Sequence, residues 1–276
     1  MTAGALRTRH DGGVLTVTID IPPHNIVGAD FIVGLLELLA VLDDDPETRV
    51  VVFRSADPDF FLMHGDVENL LAMPLGEPEP VEEPNFAAIT FERVRRLPML
   101  TVGVIDGAAR GGGAEFLAAL DLRYASTRAV LGQPEVPMGI LPGAGGTTRL
   151  PHLLGRAAAL EVILTGRDVT ADEALALGWV DAVHPPDELD ERVDALAQRV
   201  ARMPRASIAA VKRVVDASLG ALDDALVLES NELLRLTGAG AHVARMQRFL
   251  ELGGQTRVAE TQRMDELVEA MLAEPT

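Results

Sequence analysis

Two isolated glutamates, Glu115 and Glu135, stand twenty positions apart in a glycine-rich stretch, residues 104–149 (VIDGAARGGGAEFLAALDLRYASTRAVLGQPEVPMGILPGAGGTTR). An apolar run ends at Ile105 and Asp106-Gly107 turns the chain. Gly111-Gly112-Gly113 then lets backbone N–H groups approach a ligand with no Cβ in the way. Glu115 falls within the first helical turn that follows. Glu135 sits between Pro134 and Val136, in a segment too rich in Pro and Gly for a regular helix. Paired carboxylates beside free amides suit carbonyl chemistry: the amides receive charge that develops on an oxygen, and the carboxylates move protons. Each glutamate also has a plain structural use. A first-turn carboxylate is stabilised by the helix dipole, and Glu135 is placed to cap the turn before Pro137.

The elements that must position these groups follow from periodicity and turn signals. Leu6 to Ile21 reads as a hairpin around Asp11-Gly12-Gly13, and apolar residues at 31, 32, 35, 36, 39 and 42 give Ala29 to Asp43 a helical period that stops at Asp45-Pro46. Val50-Val51-Val52-Phe53 and Leu100 to Ile105 are short continuous apolar runs, as expected of parallel strands covered on both faces. Residues 74–84 (PLGEPEPVEEP) read as a mobile loop, and helix resumes from Phe86 to Arg96. Thr170 opens a helix that Gly178 closes, and Val180 to Val183 reads as a last strand. From Pro186 onward amphipathic helices dominate, with breaks near Pro204, Gly220, Gly238 and Gly253, and such a tail is expected to pack on a neighbouring subunit. The expected organisation is an α/β core over residues 1–185, carrying the catalysis, and a helical region over 186–276 for packing and oligomerisation.

Composition narrows the function. With 276 residues and 48% hydrophobic content the chain is long enough for a substantial core. A formal net charge of −18 disfavours nucleic acid and anionic membrane surfaces as partners. The absence of cysteine removes disulfides, thiolate nucleophiles and thiolase-type chemistry. The scattered histidines lack metal-ligand spacing, so no metal is expected. Gly143-Ala144-Gly145-Gly146-Thr147 lacks the Lys of a nucleotide phosphate loop, and no Gly-x-Ser-x-Gly elbow occurs. The N-terminal residues carry no apolar run of signal-peptide length, and a cytoplasmic location is expected.

The motifs resemble those of the crotonase (enoyl-CoA hydratase/isomerase) superfamily over roughly residues 5–200. IDGAARGGGAEFLAALDLRYAS resembles its second oxyanion-hole segment, GQPEVPMGILPGAGGTTRLPHLLG its catalytic loop and following helix, and LTGRDVTADEALALGWVDAV its next segment. PPHNIVGADF resembles the N-terminal substrate-side turn, and DFFLMHGDVENL takes the place of the first oxyanion-hole loop. The resemblance implies a ββα spiral core and an acyl-CoA thioester substrate, with coenzyme A part of the substrate and no separate cofactor. It implies a homotrimer or homohexamer. It places the two oxyanion-hole amides on Met63 and Gly112, the catalytic glutamates on Glu115 and Glu135, and the water-positioning amide on Gly143. Substrate contacts fall to Leu62, His64, Asp66, Gly111 and Pro134.

Both glutamates being present points to hydration of a 2-enoyl-CoA to a 3-hydroxyacyl-CoA, because isomerases of the family typically keep only the second. A double-bond isomerase using Glu135 alone is the alternative, and a non-catalytic acyl-CoA-binding subunit a third reading. The chain departs from the family at Leu62-Met63-His64, where small residues and Gly are usual. It also lacks any Lys or Arg in residues 20–30 and the usual C-terminal motif, for which GAGAHVARMQRFLEL (238–252) stands instead. His64 is expected to decorate the CoA side of its loop.

Overall fold

A computed structural model describes residues 4–272. Asp11-Gly12-Gly13 closes β1 (Leu6–Asp11) against β2 (Val14–Ile19) as an antiparallel hairpin, with Asp11 opposite Val14. The sheet then grows by parallel pairing through β3 (Val50–Ser55) and, beyond a short β4 (Phe60–Leu62) that leaves it, β5 (Leu100–Ile105). After β6 (Ala108–Arg110) come β7 (Leu122–Ser126), β8 (Val130–Gly132), β9 (Asp168–Thr170) and β10 (Ala182–His184). The larger sheet runs β1-β2-β3-β5-β7-β10, and the smaller runs β4-β6-β8-β9. The chain therefore alternates between two sheets, each turn of the spiral adding a strand to both. The expected last strand is present as β10, two residues later than Val180.

Alternation along the strands explains why the apolar runs are continuous. Val51 and Phe53 of β3 face the main core with Phe31, Phe91, Phe116 and Trp179, whereas Val50 and Val52 face Leu189, Val193 and Ala197 of the helix Pro186–Ala201. The helix Ala29–Asp43 spans the expected residues, and the helix Phe86–Arg95 follows a stretch, 72–85, with no regular structure. The helix Gly112–Ala119 is buried along its whole length, which its Gly and Ala content permits.

Much of the tail packs on its own chain. The helix Pro186–Ala201 covers the large sheet, and the terminal helices fold back over the chain's own loops, where Met246, Phe249, Met264, Leu267 and Met271 enclose Val67, Met138 and Ile140. Core packing thus runs across position 185. The helix Arg205–Leu219 keeps an uncovered apolar face, with Val211, Val214, Val215 and Leu219 more than half exposed. No helix among the described residues is long and apolar enough to cross a membrane.

Candidate active site

A cavity of about 480 Å³ opens among the helix starts at Ala29, Phe86 and Gly112 and the loops around Gly65, Glu135 and Gly143, lined on its polar side by Gly65, Asp66, Gly112, Glu115, Glu135 and Gly143. Its apolar wall comes from Ile32, Leu70, Met73, Phe86, Ile140 and Leu233. The fold therefore brings Gly112, Glu115, Glu135, Gly143 and Asp66 together around one cavity.

Glycine makes the approach possible. Gly111 holds φ +51, and a Cβ on it would lie 2.6 Å from Glu135 Oε1 and 2.7 Å from the His64 Cβ. A Cβ on Gly113 would lie 1.9 Å from the Leu62 carbonyl oxygen. These two positions let the start of the helix Gly112–Ala119 press against the 60–66 loop. The Gly112 N–H, at that helix start, donates to no acceptor among the described residues.

The first loop differs from the sequence-based assignment. Met63 is fully buried and its N–H donates to the Asn25 carbonyl at 2.8 Å, so that amide is unavailable to a ligand. Two residues on, Val27 N–H donates to His64 O and Asp66 N–H to Val27 O, a parallel bridge that leaves the Gly65 N–H without an acceptor. A Cβ built on Gly112 would stand 3.4 Å from the Gly65 nitrogen. Gly65 and Gly112, not Met63 and Gly112, are thus the amides that flank one point of the cavity. Asn25 fixes this loop from a distance. Its side-chain amide donates to Ser55 Oγ at 2.8 Å and to the Phe61 carbonyl at 3.2 Å, and its Oδ1 accepts Ile21 N–H at 2.7 Å.

Four further expected substrate contacts lie behind the cavity wall. Leu62 belongs to β4 and packs in the main core, while Gly111 and Pro134 are buried beneath Glu135. His64 does not decorate the loop surface. It is 3% exposed, with Nδ1 2.9 Å from the Gly65 carbonyl oxygen and Nε2 3.0 Å from Glu260 Oε1. Burial works against the imidazolium, yet the Glu260 charge and hydrogen bond outweigh it and hold His64 above its usual pKa. Burial likewise opposes the Glu260 carboxylate, and the His64 charge and hydrogen bond hold it below its usual value. Glu260 also accepts Gln255 N–H at 3.0 Å, and Arg110 donates to the Glu260 carbonyl while pairing bidentately with Asp168. Of the five expected substrate contacts only Asp66 lines the cavity, and it also caps the helix Val67–Leu71 through Glu68 N–H.

The two cavity glutamates are in a different electrostatic state. Glu115 Oε1 accepts Ala144 N–H at 2.7 Å and Gly146 N–H at 2.8 Å. Burial, followed by the charge of Glu229, nevertheless pushes Glu115 up to about 8. Glu135 Oε2 has no hydrogen-bond partner, and burial followed by the Glu115 charge raises Glu135 well above the carboxylate range. The nearest cation, Arg149, is turned away: it donates to the Ala144 carbonyl at 3.0 Å and pairs with Glu92 at 3.0 Å. Two amides of the following turn stabilise the ionised form of Glu115, whereas Glu135 has only its own backbone N–H to do so, so Glu115 is the better base and Glu135 the better acid. Two free N–H groups, a base, an acid and an apolar wall amount to a site for adding or moving a proton next to a carbonyl.

The chain is similar to known proteins over most of its length. A sequence model of the enoyl-CoA hydratase/isomerase family matches residues 9–255. The chain is 39% identical over 211 residues to the human enoyl-CoA hydratase domain-containing protein 2, mitochondrial, covering 72% of this chain and 68% of that one. That relative's name places it in mitochondria, where the present sequence led us to expect a cytoplasmic protein. The fold is similar to a crystal structure provisionally assigned as an enoyl-CoA hydratase from Streptomyces avermitilis, with a TM-score of 0.88, 36% identity, and 98% and 99% of the two chains covered. It is also similar to an enoyl-CoA hydratase from Mycobacterium avium subsp. paratuberculosis, with a TM-score of 0.75, 26% identity, and coverage of 88% and 96%. The chain belongs to the crotonase superfamily, within its enoyl-CoA hydratase/isomerase family.

Proposed function

We propose that the protein adds water across the double bond of a 2-enoyl-CoA thioester. The observation that carries this reading is that two glutamates with unequal hydrogen bonding face one cavity beside two free amides. The thioester oxygen sits between the Gly65 and Gly112 N–H groups. Each such donor, aimed at charge that grows during the reaction, contributes about 2.7–4 kcal/mol to the transition state. Gly143, whose N–H lies free on the cavity wall, orients a water against Glu115. Glu115 takes one proton from that water as its oxygen bonds to the β-carbon, and the double-bond electrons pass to the thioester oxygen as an enolate. When the enolate collapses, Glu135 delivers its proton to the α-carbon. One proton is then returned from Glu115 to Glu135, so the cycle closes without a metal or separate cofactor.

The isomerase alternative needs only Glu135 and gives no task to the two amides that hold Glu115 in place. The apolar wall suits the acyl chain, and the uncovered valines of the helix Arg205–Leu219 suit burial between copies in a homotrimer or homohexamer. Purified protein mixed with a 2-enoyl-CoA separates the readings. Loss of the conjugated thioester absorbance with incorporation of labelled water supports hydration. Migration of the double bond without label supports isomerisation, and binding without turnover supports a non-catalytic subunit.

A further inference from the structure

The turn 143–148 is gripped from two sides. Glu115 takes the Ala144 and Gly146 N–H groups, and Glu229 takes the ones between and beyond. Gly145 N–H donates to Glu229 Oε1 at 2.6 Å, and Thr148 N–H and hydroxyl donate to Oε2 at 2.9 and 3.1 Å. Glu229 lies on the helix Asp223–Ala239, is 4% exposed, and does not line the cavity. The same helix holds the start of the turn. Ser230 Oγ accepts Asn85 N–H at 2.8 Å, the Asn85 side chain donates to the Gly143 carbonyl, and Leu233 packs against Gly143. A carboxylate buried this deeply costs several kcal/mol unless it is well hydrogen-bonded. The donors it has gathered are all on the turn that carries the water-orienting amide.

We infer that Glu229 is a positioning residue for the proposed hydration. By holding Gly145 and Thr148 from the face opposite Glu115, it fixes both the direction of the Gly143 N–H and the seat of the Glu115 carboxylate. This rests on the hydratase reading. The charged groups facing Glu115 are Glu229 from the helix Asp223–Ala239, Glu135 from its loop and Arg149 from the helix Gly146–Leu154, with Glu92 of the helix Phe86–Arg95 behind Arg149. After burial, the Glu229 charge is what pushes Glu115 upward. Removing that charge lets Glu115 ionise at lower pH, while a Gln in its place turns an amide NH₂ toward N–H donors on the turn.

The test is Glu229→Gln, with kcat and KM measured on a 2-enoyl-CoA across pH. We expect kcat to fall about tenfold with KM within about twofold, because only the chemical step is disturbed. We also expect the acid limb of the kcat profile to move to lower pH, which a merely structural residue would not cause. Thr148→Val removes one donor to Glu229 without changing bulk. It should shift the limb the same way by less, and it carries the test if Glu229→Gln does not fold. Faster amide exchange across 144–148 in either variant accompanies the expected result. Limbs that stay in place, or a loss that is equal at every pH and follows the folded fraction, overturn the proposal. Wild-type protein that adds no water overturns the hydratase reading, and this inference with it, before any variant is compared.

Discussion

Two of the places where the protein buries carboxylates treat them oppositely. At the His64–Glu260 site the carboxylate is fully buried, ion-paired at 3.0 Å and held below its usual pKa, with Arg110 and Gln255 completing its surroundings. At the cavity, Glu115 and Glu135 are buried without a cation of their own and are held above the usual range, first by burial and then by neighbouring carboxylates. The first arrangement pairs its charge through Glu260 Oε1, leaving Oε2 without a partner, and fastens the helix Arg257–Gln262 to the 60–66 loop. The second leaves two protons loosely owned where a substrate can meet them. A folding requirement explains the first. Carboxyls held above their usual range in a cavity mark the second as a candidate functional site.

The largest expected effect separates the two sites by what is lost. His64→Leu strands Glu260 as an unpaired buried carboxylate, and removing one member of such a pair costs about 3–5 kcal/mol of stability. The loss should appear in urea unfolding, while kcat at a temperature where the variant is folded falls less than about tenfold. The sequence led to the expectation that His64 decorates the CoA side of its loop, where its loss would cost little. Burial against Glu260 replaces that expectation with a folding defect. A His64→Leu protein of wild-type stability that has lost hundredfold in kcat would move His64 into the chemistry and erase the contrast.

At the cavity the loss runs the other way. Glu115→Gln and Glu135→Gln should each lower kcat by about a hundredfold or more, with binding of a saturated acyl-CoA nearly unchanged. Retained turnover in Glu115→Gln alone would favour the isomerase reading, in which Glu135 shuttles the proton by itself.

What was legible in the sequence, and what was not, follows the range of the interactions. The glycines at 111–113, both cavity glutamates and Gly143 sit in local motifs whose shape is set within a few residues, and all but the buried Gly111 and Gly113 line the cavity. Which amide of the 60–66 loop faces that cavity is decided by Asn25 and Val27, which consume the Met63 and Asp66 N–H groups and the His64 carbonyl. No local pattern could place the free amide on Gly65. Glu229 and Glu260 were missed because each acts across a long sequence separation, from helices whose sequence is rich in acids. A signal for Glu229 existed: Leu226, Glu229, Ser230 and Leu233 recur at helical spacing on one face, so a charged residue interrupts an otherwise buried stripe.

Stability and activity should also respond to pH in opposite directions at the cavity. A carboxyl whose folded pKa lies above its unfolded value stabilises the fold fully below the unfolded value and loses that contribution as pH rises through the folded one. For Glu115 the window runs from about 4.5 to about 8. Over the same window the base form of Glu115 accumulates, so kcat should rise toward pH 8 as unfolding free energy falls. At the other site, Glu260 contributes above its unfolded value and His64 contributes fully below 6.5, so that pair is strongest between about 4.5 and 6.5. Urea unfolding and kcat measured in the same buffers check the opposition. Parallel curves would show that Glu115 is already ionised across the range.

The smallest effect is the sharpest discriminator. In Glu115→Gln the side-chain oxygen still accepts the Ala144 and Gly146 N–H groups, and the buried site no longer holds a group that the unfolded chain ionises freely. Each pH unit between the folded and unfolded values of Glu115 is about 1.4 kcal/mol. Recovering even one unit's worth should raise Tm by on the order of 2–4 °C at pH 7, in the same variant that has lost its turnover. Thermal melts of wild type and Glu115→Gln at pH 5 and pH 7 supply the comparison, with the gain present at pH 7 and shrinking toward pH 5. If Tm falls instead, the two amides require a carboxylate charge. Glu115 is then held as an anion, as Glu260 is by His64, and the proton delivered to or taken from the substrate belongs to Glu135 alone.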